Sequence, residues 1–175
     1  MSENTIFLKD WADAFGFNGE VPAAAEGCSR TAEQESCLEN GLEYLKNSQM
    51  QIMEAILTAV FREYPQWREE YIYDSEYQQE QMPEIEQKKE LLKLIMPKQI
   101  HLLNVQKENL PYFGVEFTCT WDEEQGLGVM MYKDRVISVG EGAEACRRWI
   151  AENDRDSKEF EEIKSQKKMA CNIRF

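Results

Sequence analysis

The chain predicts an α+β fold, with one long and one shorter helix packed on an antiparallel sheet of about four strands, followed by a C-terminal helical segment. Two observations carry this reading. Apolar residues recur at helical spacing from Leu38 to Tyr64, and after Pro97 the period falls toward two, the mark of strands. Composition agrees, because 42% of the 175 residues are hydrophobic and 11% aromatic, which suffices for a core.

Residues 1–30 read as a loop-rich N-terminal segment ahead of a single α+β domain over 31–175. Within that segment TIFLKDWADAFGF (5–17) suits either an amphipathic helix or a strand with Phe7 and Trp11 inward. NGEVPAAAEGCSR (18–30) mixes Gly, Pro and small residues as loops do. Thr31 with Gln34 forms a capping box that opens a helix. Leu38, Leu42, Leu45, Ile52, Ile56 and Val60 then step by three, four or seven, with Met53, Leu57, Phe61 and Tyr64 widening the stripe. One helix is expected to continue to about Tyr64, since Pro65 lacks the N–H the next turn needs. Gly41 weakens its first turns, and Gln49 sits where the stripe wants an apolar residue, which implies a bend or a framed contact. Pro83 suits the first position of a second helix, whose Leu91, Leu92, Leu94 and Ile95 bury one face before Pro97 stops it. Residues 31–96 are thus expected to be helical.

A β-meander should occupy 99–139, with strands at 99–105, 113–121, 127–132 and 135–139. Val115, Phe117, Cys119 and Trp121 alternate with Glu116, Thr118 and Thr120, so one face is apolar and the other polar. Lys133-Asp134 has the length of a two-residue hairpin loop, and Asp122 to Gly126 that of a longer one. From Gly142 to about residue 170 the pattern is helical again, with Ala145, Trp149 and Ile150 inward.

The charge restricts partners. A net of −13, from 33 acidic and 20 basic residues, repels phosphate backbones and anionic lipids, so neither nucleic acid nor a membrane is expected as partner. A basic protein surface is attracted instead. Five cysteines at irregular spacing, Cys28, Cys37, Cys119, Cys146 and Cys171, fit neither a disulfide framework nor a metal knuckle. With no leader-like start and no apolar run of membrane length, a cytoplasmic location is expected.

Among candidate sites, the run Trp121 to Gly128 sets Asp122, Glu123 and Glu124 between a strand-end tryptophan and a Gly-x-Gly. Carboxylates suit hard cations, yet cation loops alternate their ligands and adjacent side chains splay apart, which favours a solvated turn with glycines at positive φ. Val139 to Ala145 mimics a dinucleotide fingerprint without its parallel βαβ context; Gly140 and Gly142 are expected to permit a tight strand-to-helix turn. His101, the sole histidine, lies in a strand and serves as a base only if Cys119 and a carboxylate meet it. The aromatic and acidic segment holding Trp67, Glu70, Tyr71, Tyr73 and Tyr77 is the preferred interaction surface, because Trp and Tyr are enriched at binding hot spots. Its competing account is a packed loop over the sheet. Lys164, Lys167, Lys168 and Arg174 read as a solvated basic helix face.

Residues 113–128 resemble the Trp-Asp-x-Glu-His-Gly-Leu-Gly hairpin of a family of uncharacterised bacterial domains. The likeness extends to Tyr64, Pro83-Glu84-Ile85, Leu91 to Ile95 and Val139-Gly140. It implies no known activity, and this chain departs from it at Gln125, where the family has histidine. An amide takes up no proton near neutral pH, so the departure favours a structural hairpin over a catalytic or metal-binding one. The resulting expectation is a protein–protein interaction module that needs no cofactor, metal or catalytic residue, of the kind that would neutralise a basic effector or toxin. Two alternatives are an enzyme using Asp122, Glu123, Glu124 and His101, and a homo-oligomer joined by the long helix.

Overall fold

The computed structural model describes residues 4–27, 29–71 and 76–157. In chain order these form β1 (Asn4–Phe7), α1 (Lys9–Phe15), β2 (Glu20–Ala25), α2 (Ala32–Asn47), α3 (Gln49–Tyr71), α4 (Glu76–Gln81), a 3₁₀ turn (Lys88–Lys93), β3 (Ile95–Lys107), β4 (Leu110–Cys119), β5 (Leu127–Tyr132), β6 (Arg135–Glu141) and a second 3₁₀ turn (Gly142–Cys146). Helix follows over 148–157. The fold is α+β as expected, with six strands among the described residues where about four were expected, lying in chain order across one sheet. Every neighbouring pair is antiparallel except β2 and β3, which run parallel.

The added strands come from the segment read as loop. β2 alternates exposed Glu20 and Pro22 with buried Val21 and Ala23. Pairing with β3 begins at Ala23, past Pro22, so the missing N–H of that proline interrupts no bond on that side. Residues 5–17 use both structures considered for them, strand and then helix. Trp11 is inward, while Phe7 is 56% exposed and corrects the expectation that it is buried.

The helical stripe is split between α2 and α3 at Ser48. The capping box of Thr31 and Gln34 is present at the start of α2. Gln49 explains the break. Its Oε1 accepts the Asp10 N–H at 2.9 Å, its Nε2 donates to the Lys46 carbonyl at 2.9 Å, and its own carbonyl accepts the Trp11 indole N–H at 2.9 Å. A polar residue in the apolar stripe thus ties both helices to α1. Gly41 has a packing role, for a Cβ there would meet the Pro111 ring at 2.4 Å.

Contrary to expectation, α3 continues through Pro65 to Tyr71. The proline side is exposed, and the turns around and beyond it are held from outside the helix. Tyr64 Oη donates to the Pro83 carbonyl at 2.8 Å and Arg68 Nε to the Met82 carbonyl at 2.9 Å. The second expected helix shrinks to the 3₁₀ turn, and Pro97 lies inside β3, where the register with β4 shifts between Pro97 and Gln99. A bulge accommodates a proline that a regular ladder rejects.

The last three strands match their expected ranges closely, with Lys133-Asp134 closing the β5–β6 hairpin. One face of the sheet packs on the helices through Ile100, Leu102, Phe113, Val115, Phe117, Leu127 and Val129, against Trp11, Phe15, Ile56 and Val60. The other face carries a smaller cluster of Leu103, Val105, Tyr112, Met130 and Tyr132, closed by Ile150 and Ala151. The second 3₁₀ turn can lie on that face because Gly114 and Gly128 have no side chain; a Cβ on Gly114 would stand 1.7 Å from the Ala145 carbonyl oxygen. Asp154 anchors the following helix, taking two bonds from Arg135 at 2.9 and 2.6 Å and one from Tyr112 Oη at 2.8 Å. Ala145 and Ile150 are inward as expected, whereas Trp149 is 58% exposed. Residues 158–170 of the expected helical segment, and the basic cluster Lys164, Lys167, Lys168 and Arg174, lie outside the described residues.

Candidate functional site

The turn after β4 is built onto the end of α3. Trp121, on the helical side of the sheet, sets its ring edge-on to Tyr64 at 5.5 Å and tilted over Trp67 at 6.4 Å. Asp122 closes the turn, its Oδ1 accepting the Gln125 N–H at 2.9 Å and its carbonyl accepting the Gly126 N–H at 2.9 Å. Its Oδ2 accepts the Tyr71 hydroxyl at 3.1 Å. Gly126 adopts φ 66°, and a Cβ there would meet the Phe117 carbonyl at 2.5 Å, so the turn demands glycine at this position. Further bonds fix the surroundings. Thr120 Oγ1 donates to the Gln81 carbonyl at 2.5 Å, and the Gly142 N–H to the Gln125 carbonyl at 3.1 Å.

Between this turn, the last residues of α3 and the end of β6 lies an open groove of about 520 Å³, its mouth included. Trp67, Tyr71 and Trp121 line it with aromatic surface, Gly126, Leu127 and Gly140 complete its apolar lining, and Glu70 and Glu141 bring two carboxylates to it. Burial, with the hydrogen bond to Asp122 and the nearby charges of Asp122 and Glu141, pushes the Tyr71 phenol up to about 12. The hydroxyl therefore remains a neutral donor across the physiological range.

Of the residues read as an interaction surface, Trp67, Glu70 and Tyr71 line this groove and Asp122 borders it through Tyr71. Glu123 belongs to a separate depression of about 710 Å³ beside Gln81, Lys93 and Met96, and Glu124 is exposed on the turn. Tyr73 and the Tyr77 side chain lie outside the described residues. Two groove residues were missed as members of this surface. Trp121 was assigned to the hairpin alone, and Glu141 sits in the stretch that mimics a dinucleotide fingerprint; only the fold brings either one to α3.

The residues of the enzymatic alternative do not converge. His101 Nε2 lies 3.1 Å from Glu116 Oε2, and Lys98 Nζ 2.5 Å from Glu116 Oε1. Burial alone would raise the Glu116 carboxyl, but its bonds to Lys98 and His101 hold it below the ordinary value. Side chains alternate along β4, so this cluster faces away from Cys119, which packs in the core on the helical side. Burial pushes the Cys119 thiol up to about 11, leaving it protonated at neutral pH. Among the described residues no three His, Cys, Asp or Glu side chains are grouped to hold a metal ion. Nor, among them, is any helix long and apolar enough to cross a membrane.

The chain belongs to a family described as a domain of unknown function (DUF6985), whose model matches residues 4–146. The match runs from β1 through the second 3₁₀ turn and so takes in the N-terminal strands along with the groove. No curated protein and no solved structure matches the chain.

Proposed function

We propose that this protein is an interaction module for a protein partner with a basic surface, and that the contact face is the end of α3 together with the Trp121–Gly126 turn. The observation that supports it is the union of Tyr71 with Asp122, 51 residues apart, by a 3.1 Å hydrogen bond. That bond joins an aromatic segment and an acidic turn into one patch with a groove at its centre. Tryptophan and tyrosine supply contact area at little entropic cost, while the carboxylates around them steer a cationic partner. The net charge of −13 extends the same attraction over the whole surface. Neutralising a basic effector is the role this chemistry suits best.

Affinity capture from the source lysate tests the reading by comparing the wild-type chain with Trp67→Ala and with Glu70→Gln. Basic proteins should be retained by the wild type, released as salt shortens the reach of charge, and depleted with both variants. Equal retention by all three would defeat the proposal. Glu70 is exposed, so its variant separates lost contact from lost folding.

A further inference from the structure

The groove contains a specific mismatch of charge. Among the described residues three aromatic side chains and two carboxylates line it, and no lysine or arginine does. Glu70 accepts the Gln66 amide at 2.9 Å and, among the described residues, takes part in no ion pair. Glu141 is exposed at the end of β6 and, among the described residues, takes part in no ion pair. Several half-buried carboxylates elsewhere are answered by a cation: Glu116 by Lys98, Asp154 by Arg135, Glu144 by Arg147.

Ring geometry narrows the class of cation. Trp67 and Trp121 stand 6.4 Å apart at 32°, too close for a group to enter between them, so together they make a floor. A flat cation lies on such a floor with its plane against the indole faces and its N–H groups directed sideways to carboxylates. Guanidinium has that shape and is weakly hydrated, whereas an ammonium is a compact, strongly hydrated point charge. Resting on the interaction-module reading, we infer that the groove receives one arginine side chain of the basic partner, stacked on Trp67 and Trp121 with Glu70 and Glu141 as its counter-charges.

The test follows the indole N–H resonances of the chain while N-acetyl-arginine amide is titrated into the millimolar range at constant ionic strength. Trp11 is buried and bonded to Gln49, and Trp149 lies on the opposite layer, so these two serve as internal controls. Trp67 and Trp121 should shift and saturate while the controls stay still. N-acetyl-citrulline amide, equal in shape and uncharged, should bind at least tenfold more weakly, and N-acetyl-lysine amide severalfold more weakly. In the double variant Glu70→Gln, Glu141→Gln, both exposed positions, arginine binding should fall at least fivefold with the thermal midpoint retained. Citrulline binding as well as arginine, an unaffected double variant, shifts shared by Trp149, or no shift at all would each overturn the inference. Lysine equal to arginine would overturn the guanidinium assignment. If arginine fails while Trp67→Ala still abolishes capture, the anchor is wrong and the module stands. If arginine binds while capture ignores both variants, the module reading is the one that falls.

Discussion

Gly114 shows how a single missing side chain sets a layer. With the Ala145 carbonyl only 1.7 Å from where a Cβ would sit, Gly114→Ala forces backbone against backbone. Overpacking of this kind costs about 1–3 kcal/mol and more where no side chain can yield, so a loss of at least about 3 kcal/mol is expected in denaturant unfolding. Tyr71→Phe removes one donor to Asp122 and should cost about 1 kcal/mol by the same measurement. The tyrosines also set an alkaline limit. Burial above all raises Tyr64, Tyr71 and Tyr132 to about 12, against about 10 in the unfolded chain. Their contribution to stability is therefore complete below pH about 10 and is lost as pH rises toward about 12. Absorbance at the phenolate band should show a late-ionising fraction that titrates with loss of structure; a single step near pH 10 in the intact fold would contradict this.

At the scale of elements, local pattern and distant contact divide the outcome. Strands β4 to β6 were readable because short runs carrying β-branched and aromatic residues are joined by short loops, even though β5 is buried along its whole length. β2 escaped notice since its inward residues are only Val21 and Ala23, flanking a proline, and its neighbour β3 lies far along the chain. Pro65 argued locally for a helix end, yet Tyr64 and Arg68 bond to the 82–83 backbone and carry α3 onward. Gln49 was the opposite case, an anomaly in the apolar stripe that marked a real junction. Gln49→Ala should cost about 1–3 kcal/mol, because it strips the acceptor from the partly buried Asp10 N–H. A thermal melt with an unchanged midpoint would show that the junction is held by packing alone.

For the whole molecule, the N-terminal segment is part of the core and not an appendage. Ile6, Leu8, Trp11, Phe15 and Val21 are all buried in the main cluster. At about 1.5–3 kcal/mol for each, their removal forfeits roughly 10 kcal/mol, comparable to the entire stability of a domain. A chain beginning at Thr31 should accordingly show no cooperative unfolding transition by circular dichroism; a sharp transition would contradict that. The contact face was half readable, since Trp67, Glu70 and Tyr71 announce themselves by residue type. Their union with Trp121 and Glu141 arises from the turn after β4 and the end of β6 meeting α3, which no local pattern reports. The measurement that bears most directly on that face is photo-crosslinking in the source cell, with the reactive amino acid placed at Glu70 and, as control, at Trp149. Adducts to a basic protein from position 70 and none from position 149 are the predicted result. Adducts from position 149 alone, or only of the chain with itself, would contradict it.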